Sequence, residues 1–172
     1  MAKALFVISP GMFRDEELFH TKEELEDAGI ETHIASLRKG EFMGRLGGRA
    51  VADISVSEAI AANYDVVIFV GGPGVTQHGL PENPAVLKLA KDANSKCKVL
   101  AAICAGPKIL AAAGVVKGKK VTVFPDEGYI ALIKKMGGNY TASHLEVDNK
   151  LVTADGPEAA HDFGRKIAEL LS

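Results

Sequence analysis

The chain is poor in cysteine, with two among 172 residues. Cys97 and Cys104 are separated by an apolar segment that reads as extended. Seven extended residues span about 23 Å, whereas bridged Cα atoms lie within about 7 Å of each other. The two thiols therefore cannot pair in that conformation, and a fold stapled by disulfides is excluded, as suits a reducing compartment. Charge of one sign is also lacking, since 20 Lys and Arg stand against 22 Asp and Glu. Without a basic stripe there is no reason to expect nucleic acid or an anionic membrane as partner. No apolar run reaches the roughly 18 residues of a membrane span. The N-terminus has neither the long apolar core nor the cleavage site of a secretory signal, so a cytoplasmic protein is expected. No histidine cluster and no Cys/His spacing marks a metal site, and no Gly-x-Gly-x-x-Gly or phosphate loop marks a nucleotide. No cofactor is expected.

What remains is an ordinary globular composition, 47% hydrophobic and 24% charged. There is no repeat, no low-complexity tract and no linker, so residues 1–172 read as one domain. Ala4–Ile8, Asp65–Val70 and Lys98–Ile103 are apolar on both faces, as buried parallel strands are. Ile30–Leu37 alternates like a strand. Helical patterns cover Arg14–Asp27, Ser57–Ala62, Asn83–Asn94, Pro107–Ala113, Asp126–Met136 and Pro157–Leu171. Arg38–Val51 is rich in glycine and reads as a loop or small hairpin. Val121–Phe124 is a candidate strand, and Leu145–Val147 with Leu151–Thr153 a candidate hairpin about Asp148-Asn149-Lys150. Alternating strands and helices give a mainly parallel sheet between two helical layers, with sites at the carboxyl ends of its strands. The loops after the first, third and fourth of these strands, at Met12–Glu17, Gly71–Gly74 and Cys104, fall at such ends.

The strongest chemical signal is Ala101-Ala102-Ile103-Cys104-Ala105-Gly106-Pro107. A buried strand runs directly into a helix, with cysteine at the junction, small residues to permit the turn, and proline to preset the helix. This is the local physics of a nucleophile elbow. A helix N-terminus there is expected to lower the thiol pKa. Cys97 has no such context and reads as structural. Gly71-Gly72-Pro73-Gly74 can aim backbone N–H groups at an oxyanion, or simply make a tight turn. Asp15-Glu16-Glu17, on the residues alone, reads as a solvated first helical turn. Of five histidines, only His78 lies in a loop at the expected active end. His144-Leu145-Glu146 has a spacing found in glutamine amidotransferases but leads into the hairpin.

The whole chain resembles the DJ-1/PfpI family of the class I glutamine amidotransferase-like, flavodoxin-like superfamily. The resemblance is carried by Lys3–Ile8, Asp15-Glu16-Glu17-Leu18, Tyr64–Ile68, Gly71-Gly72 and Ala101–Pro107. It implies a flavodoxin-like three-layer α/β/α sandwich with a cysteine elbow. It implies that Cys104 is the reactive cysteine and that Glu17, twelve residues before Gly29, is a buried acid hydrogen-bonded to it. Gly72 and Ala105 match positions whose N–H groups form an oxyanion pocket. Arg49 matches a basic residue near a dimer interface, and a homodimer or larger homo-oligomer is implied. The sequence also departs from its relatives. Ala105 stands where peptidase-like members carry histidine, Phe124 where DJ-1-like members carry it, and Thr76 where an acid would complete the peptidase triad; His78 is the candidate substitute base. The implied activity is on small reactive carbonyls, of glyoxalase III or deglycase type. The alternatives are a redox sensor in which Cys104 is oxidised to sulfinate, and a PfpI-type cysteine peptidase or amidase.

Overall fold

A computed structural model describes residues 1–172. Seven strands form one sheet, and two small two-stranded sheets accompany it. β1 (Lys3–Val7), β2 (Glu31–Ser36), β5 (Ile54–Ser55), β6 (Val66–Phe69), β7 (Val99–Ile103), β10 (Leu145–Asp148) and β11 (Leu151–Ala154) make the large sheet. Its order is β10-β11-β7-β6-β1-β2-β5. Every pairing is parallel except that of β10 with β11, which is the hairpin read in the sequence.

The helices are α1 (Asp15–Asp27), α2 (Gly74–Gln77), α3 (Pro84–Lys96), α4 (Pro107–Ala112), α5 (Glu127–Lys135) and α6 (Ala160–Leu171). Local chemistry sets several of their starts. Asn83 Oδ1 accepts from the N–H groups of Ala85 and Val86 at 3.0 and 3.2 Å, with Pro84 as the first helical residue. Asp126 caps α5 in the same way, accepting from Gly128 and Tyr129.

Successive residues of the central strands point to opposite faces, so each strand feeds two cores. Leu5, Val7, Val67, Phe69, Leu100 and Ala102 join Val86, Leu89, Ile109 and Leu110 on one side. Ala4, Phe6, Ile68, Ala101 and Ile103 join Leu18, Leu25, Phe163 and Ile167 of α1 and α6 on the other. This is the three-layer α/β/α arrangement. No helix is long and apolar enough to cross a membrane.

The glycine-rich segment is a hairpin of β3 (Gly40–Met43) and β4 (Arg49–Ala52), separate from the large sheet. Two expectations need correction. Ser57–Ala62 is not a helix; turns lead to a single 3-10 turn at Ala61–Asn63. Val121–Phe124 is a strand only at its start, where β8 (Lys120–Val121) pairs with β9 (Asn139–Tyr140). Beyond it, Thr122 N–H donates to Thr153 Oγ1 and Phe124 N–H to the Cys104 carbonyl, so side-chain and loop partners replace a ladder.

Chain direction fixes the site. From β1 the chain steps to β2 on one side, and later to β6 on the other. The crevice at this reversal opens at the carboxyl ends of β1 and β6. The end of β7 lies next to it.

Candidate functional site

Cys104 follows β7 and holds a left-handed backbone, φ 62°. That conformation is costly for a residue with a Cβ and persists where surroundings over-determine it. Here Cys104 N–H donates to the Ala154 carbonyl at 2.9 Å, and its own carbonyl accepts from Phe124 at 3.0 Å. Gly106 N–H turns back to the Ile103 carbonyl, and α4 begins one residue later. The turn leaves the side chain 9% exposed. Both cysteines are free thiols.

Two glycines let the β6 loop reach this turn. A Cβ on Gly71 would lie 2.7 Å from the Ala105 nitrogen, the Cys104 Cβ and Glu17 Oε1 at once. Gly72 has φ +106°, a conformation that side chains rarely adopt. As a result the N–H groups of Gly72 and Ala105 come near enough to the Cys104 sulfur to favour its thiolate.

Glu17 sits in the first turn of α1 and is completely buried. Its Oε1 accepts from Gly71 N–H at 2.9 Å, while Oε2 has no hydrogen-bond partner. Burial pushes the Glu17 carboxyl up to about 8, against the pull of the neighbouring Cys104 thiol and of the Gly71 N–H bond. At neutral pH it therefore holds its proton. The residue-level reading of a solvated acidic turn is corrected for two of its three members. Asp15 is buried too, accepting from Leu46 N–H at 2.8 Å and Gly48 N–H at 2.7 Å in the β3–β4 hairpin. Only Glu16 faces outward, paired with Arg14 at 2.9 Å.

The Cys104 thiol is also pushed up, first by burial and then by the charge of an ionised Glu17. Only the Ala105 and Gly72 N–H groups pull it down. The expectation that a helix N-terminus lowers this thiol is thus corrected. α4 has only six residues, and desolvation is the largest influence on the thiol. The two groups repel each other's charge, so the pair carries one negative charge at most near neutrality.

The thiol borders a cavity of about 270 Å³. Beside Cys104 it is lined by Gly72, Pro73, Ala105, Phe124, Tyr129 and Pro157, with two cations, Arg14 and Arg45. Lys108 lies behind Tyr129, its ammonium 4.3 Å from the ring centroid and 2.7 Å from Thr76 Oγ1. Arg14, Arg45 and Tyr129 were not marked by the sequence reading; isolated basic residues in loops carry no local signal. Cys104, Glu17, Gly72 and Ala105 are brought together. His78 is not among them. It is exposed beside Gly11, and no histidine lines the cavity. His144 is paired with Asp155 at 2.8 Å instead of Glu146, in a neighbouring hollow beyond Phe124 and Pro157. Arg49 is on the exposed face of β4, paired with Glu41 at 3.1 Å.

The profile of the DJ-1/PfpI family matches residues 2–170. A protein of Methanocaldococcus jannaschii is 36% identical over 99% of this chain and 82% of its own length. The deglycase PfpI of Pyrococcus furiosus is 30% identical over 98% of this chain and 99% of its own. The crystal structure of a ThiJ/PfpI domain protein from Brachyspira murdochii superposes with a TM-score of 0.93 at 31% identity. It covers 98% of this chain and 95% of that one.

Proposed function

Because the chain belongs to the DJ-1/PfpI family, we propose that it acts on small reactive carbonyls, with Cys104 as nucleophile and Glu17 as proton carrier. The observation that carries this reading is the environment of the sulfur. The Gly72 and Ala105 N–H groups favour its charged form, and beside it lies a buried carboxyl with one oxygen unpartnered and a proton held up to about pH 8. Relatives named deglycases agree with it.

The pair becomes reactive by losing one proton to water. In the productive form the charge rests on sulfur, held by the Gly72 and Ala105 N–H groups, and the proton stays on Glu17. Attack on an aldehyde forms a C–S bond and moves the carbonyl π pair onto oxygen. That oxygen takes the Glu17 proton, giving a hemithioacetal and a Glu17 carboxylate held by Gly71 N–H. As sulfur gives up its charge, its two N–H donors are free for the developing oxyanion. With an α-oxoaldehyde the net reaction is addition of water and internal redox, methylglyoxal plus water giving lactate. No histidine is used, in keeping with Phe124 and Ala105 at the positions where relatives carry one.

The test is methylglyoxal consumption with lactate as product. Turnover by the wild type that is lost in Cys104→Ser carries the reading; equal rates in the two overturn it. Redox sensing is a second reading favoured by the same donors, which would hold sulfinate oxygens next to a neutral Glu17. An absence of turnover, with dilute peroxide oxidising Cys104 well before Cys97, would favour it. We place the protein in the cytoplasm as a homodimer or larger assembly, with Arg49 near the interface; native mass and an Arg49→Glu variant test the assembly.

A further inference from the structure

Five arginines occur in the chain, and four have partners. Arg14 is paired with Glu16, Arg49 with Glu41, and Arg165 with Glu24 and Asp162. Arg38 lies over the Phe42 ring, 5.0 Å from its centroid. Arg45 has neither an acid nor a ring. It lies on the rim of the Cys104 cavity. Its backbone is fixed there, since Arg45 N–H donates to the Phe13 carbonyl at 2.9 Å and the next turn is held by Asp15. The acids nearby do not cancel its charge. Asp15 is taken up by the Leu46 and Gly48 N–H groups, Glu16 already faces Arg14, and Glu17 is completely buried. Phe124 and Tyr129 line the same cavity and offer apolar surface suited to a short carbon chain.

Arg45 is solvent-exposed, and an unpaired guanidinium that lines a small cavity is a site for a planar anion. We propose that the carbonyl compounds taken by this site carry a carboxylate, and that Arg45 is the specificity-determining residue that holds it. The carbonyl lies at Cys104, the carboxylate at Arg45, and the intervening carbons against Phe124 and Tyr129. This rests on the reading of Cys104 as a nucleophile toward carbonyls, and it narrows that reading to oxo acids. Arg14 adds positive potential but not a free fork, because Glu16 occupies it on two sides.

The test is built so that the two ideas fail separately. Iodoacetate and iodoacetamide alkylate the same Cys104 thiol and differ in charge, so the ratio of their rates reports anion attraction whether or not the protein turns anything over. In the wild type the ratio is expected to exceed that of Cys97 in the unfolded chain and to fall with added salt. Arg45→Gln is expected to lower it about tenfold, and Arg45→Lys to restore part of the loss. In parallel, kcat/KM is measured for methylglyoxal and for dioxovalerate, an α-oxoaldehyde with a carboxylate, which with water gives hydroxyglutarate. Arg45→Gln is expected to cost dioxovalerate about tenfold more than methylglyoxal. A wild-type ratio indifferent to salt, or a ratio unchanged in Arg45→Gln, overturns the proposal even if turnover is seen. A ratio that falls as expected, without turnover of either compound, upholds the anion site and overturns the enzymatic reading instead.

Discussion

Cys97 ends α3 just before β7 begins, and Cys104 follows the last residue of the same strand. Both are buried, and burial is the first cause that pushes each thiol up, Cys97 to about 11 and Cys104 further. Their neighbours differ in polarity. The Cys97 thiol donates to the Ala61 carbonyl at 3.4 Å, so its surroundings hold the protonated form. Cys104 has the Gly72 and Ala105 N–H groups nearby, which favour its charged form, and an acid rather than a carbonyl beside it. Acidity alone does not tell a reactive thiol from an inert one here. What separates them is whether the surrounding dipoles meet sulfur with hydrogen or with oxygen. The amino end of a parallel strand and its carboxyl end supply different groups for this purpose, because only the latter faces the crevice.

The comparison breaks most sharply on deletion of each sulfur. Cys104→Ser is expected to lower methylglyoxal turnover by about 10³-fold or more, whereas Cys97→Ser retains it. A loss shared equally would put both ends of β7 on the same footing. Glu17→Gln keeps the shape and removes the transferable proton, and turnover is expected to fall by about 10²-fold.

The same variant sharpens the comparison through stability. The Glu17 carboxyl is raised on folding from 4.5 to about 8. The stability it brings by staying neutral is therefore complete below pH 4.5 and is lost as pH rises toward 8. Glutamine loses nothing over that window, so denaturant midpoints should favour Glu17→Gln by about 3 kcal/mol at pH 7, and the gap should close below pH 4.5. A gap that does not change with pH would mean that Glu17 titrates as it does in the unfolded chain.

Gly71→Ala comes next. Its Cβ has no room among the Ala105 nitrogen, Cys104 and Glu17, and the loop must shift at a cost of about 2 kcal/mol in urea unfolding. Alkylation by iodoacetamide should then discriminate less between Cys104 and Cys97. The smallest effect is that of Cys97→Ala, which leaves the Ala61 carbonyl without its thiol donor and opens a small void, about 1 kcal/mol by the same measurement.

Much of this could be read from the residues. Ala4–Ile8, Asp65–Val70 and Lys98–Ile103 carry apolar side chains on both faces, and no other element can bury such a run at that length. Asn83-Pro84 announced a helix start that the structure realises by its capping bonds. The two-residue strands β5, β8 and β9 could not be read, since two residues have no periodicity. The site was legible in part. Cys104 and the Gly71-Gly72 turn are local features, set by a strand running into a helix and by close approach of backbones. Glu17 was not, since an acidic first turn looks the same whether water or a cysteine lies above it; only the family resemblance singled it out. Arg45 gave no sign at all, because its place on the cavity depends on a hairpin folded back from outside the sheet. The direction of the Cys104 shift is not legible in the residues for a related reason. The dipole of a short helix is visible in sequence, but the desolvation that dominates at the thiol is a property of the assembled core.

Asp15 and Glu17 lie two residues apart on α1, one holding the hairpin and the other beneath the sulfur. On the proposed reading, the part that would admit a compound and the part that would react with it hang from the same turn of helix, by different side chains. On that reading, the hairpin tip can be rewritten, by selection or by an engineer, as a cassette that changes the guest list while the chemistry beneath is inherited intact.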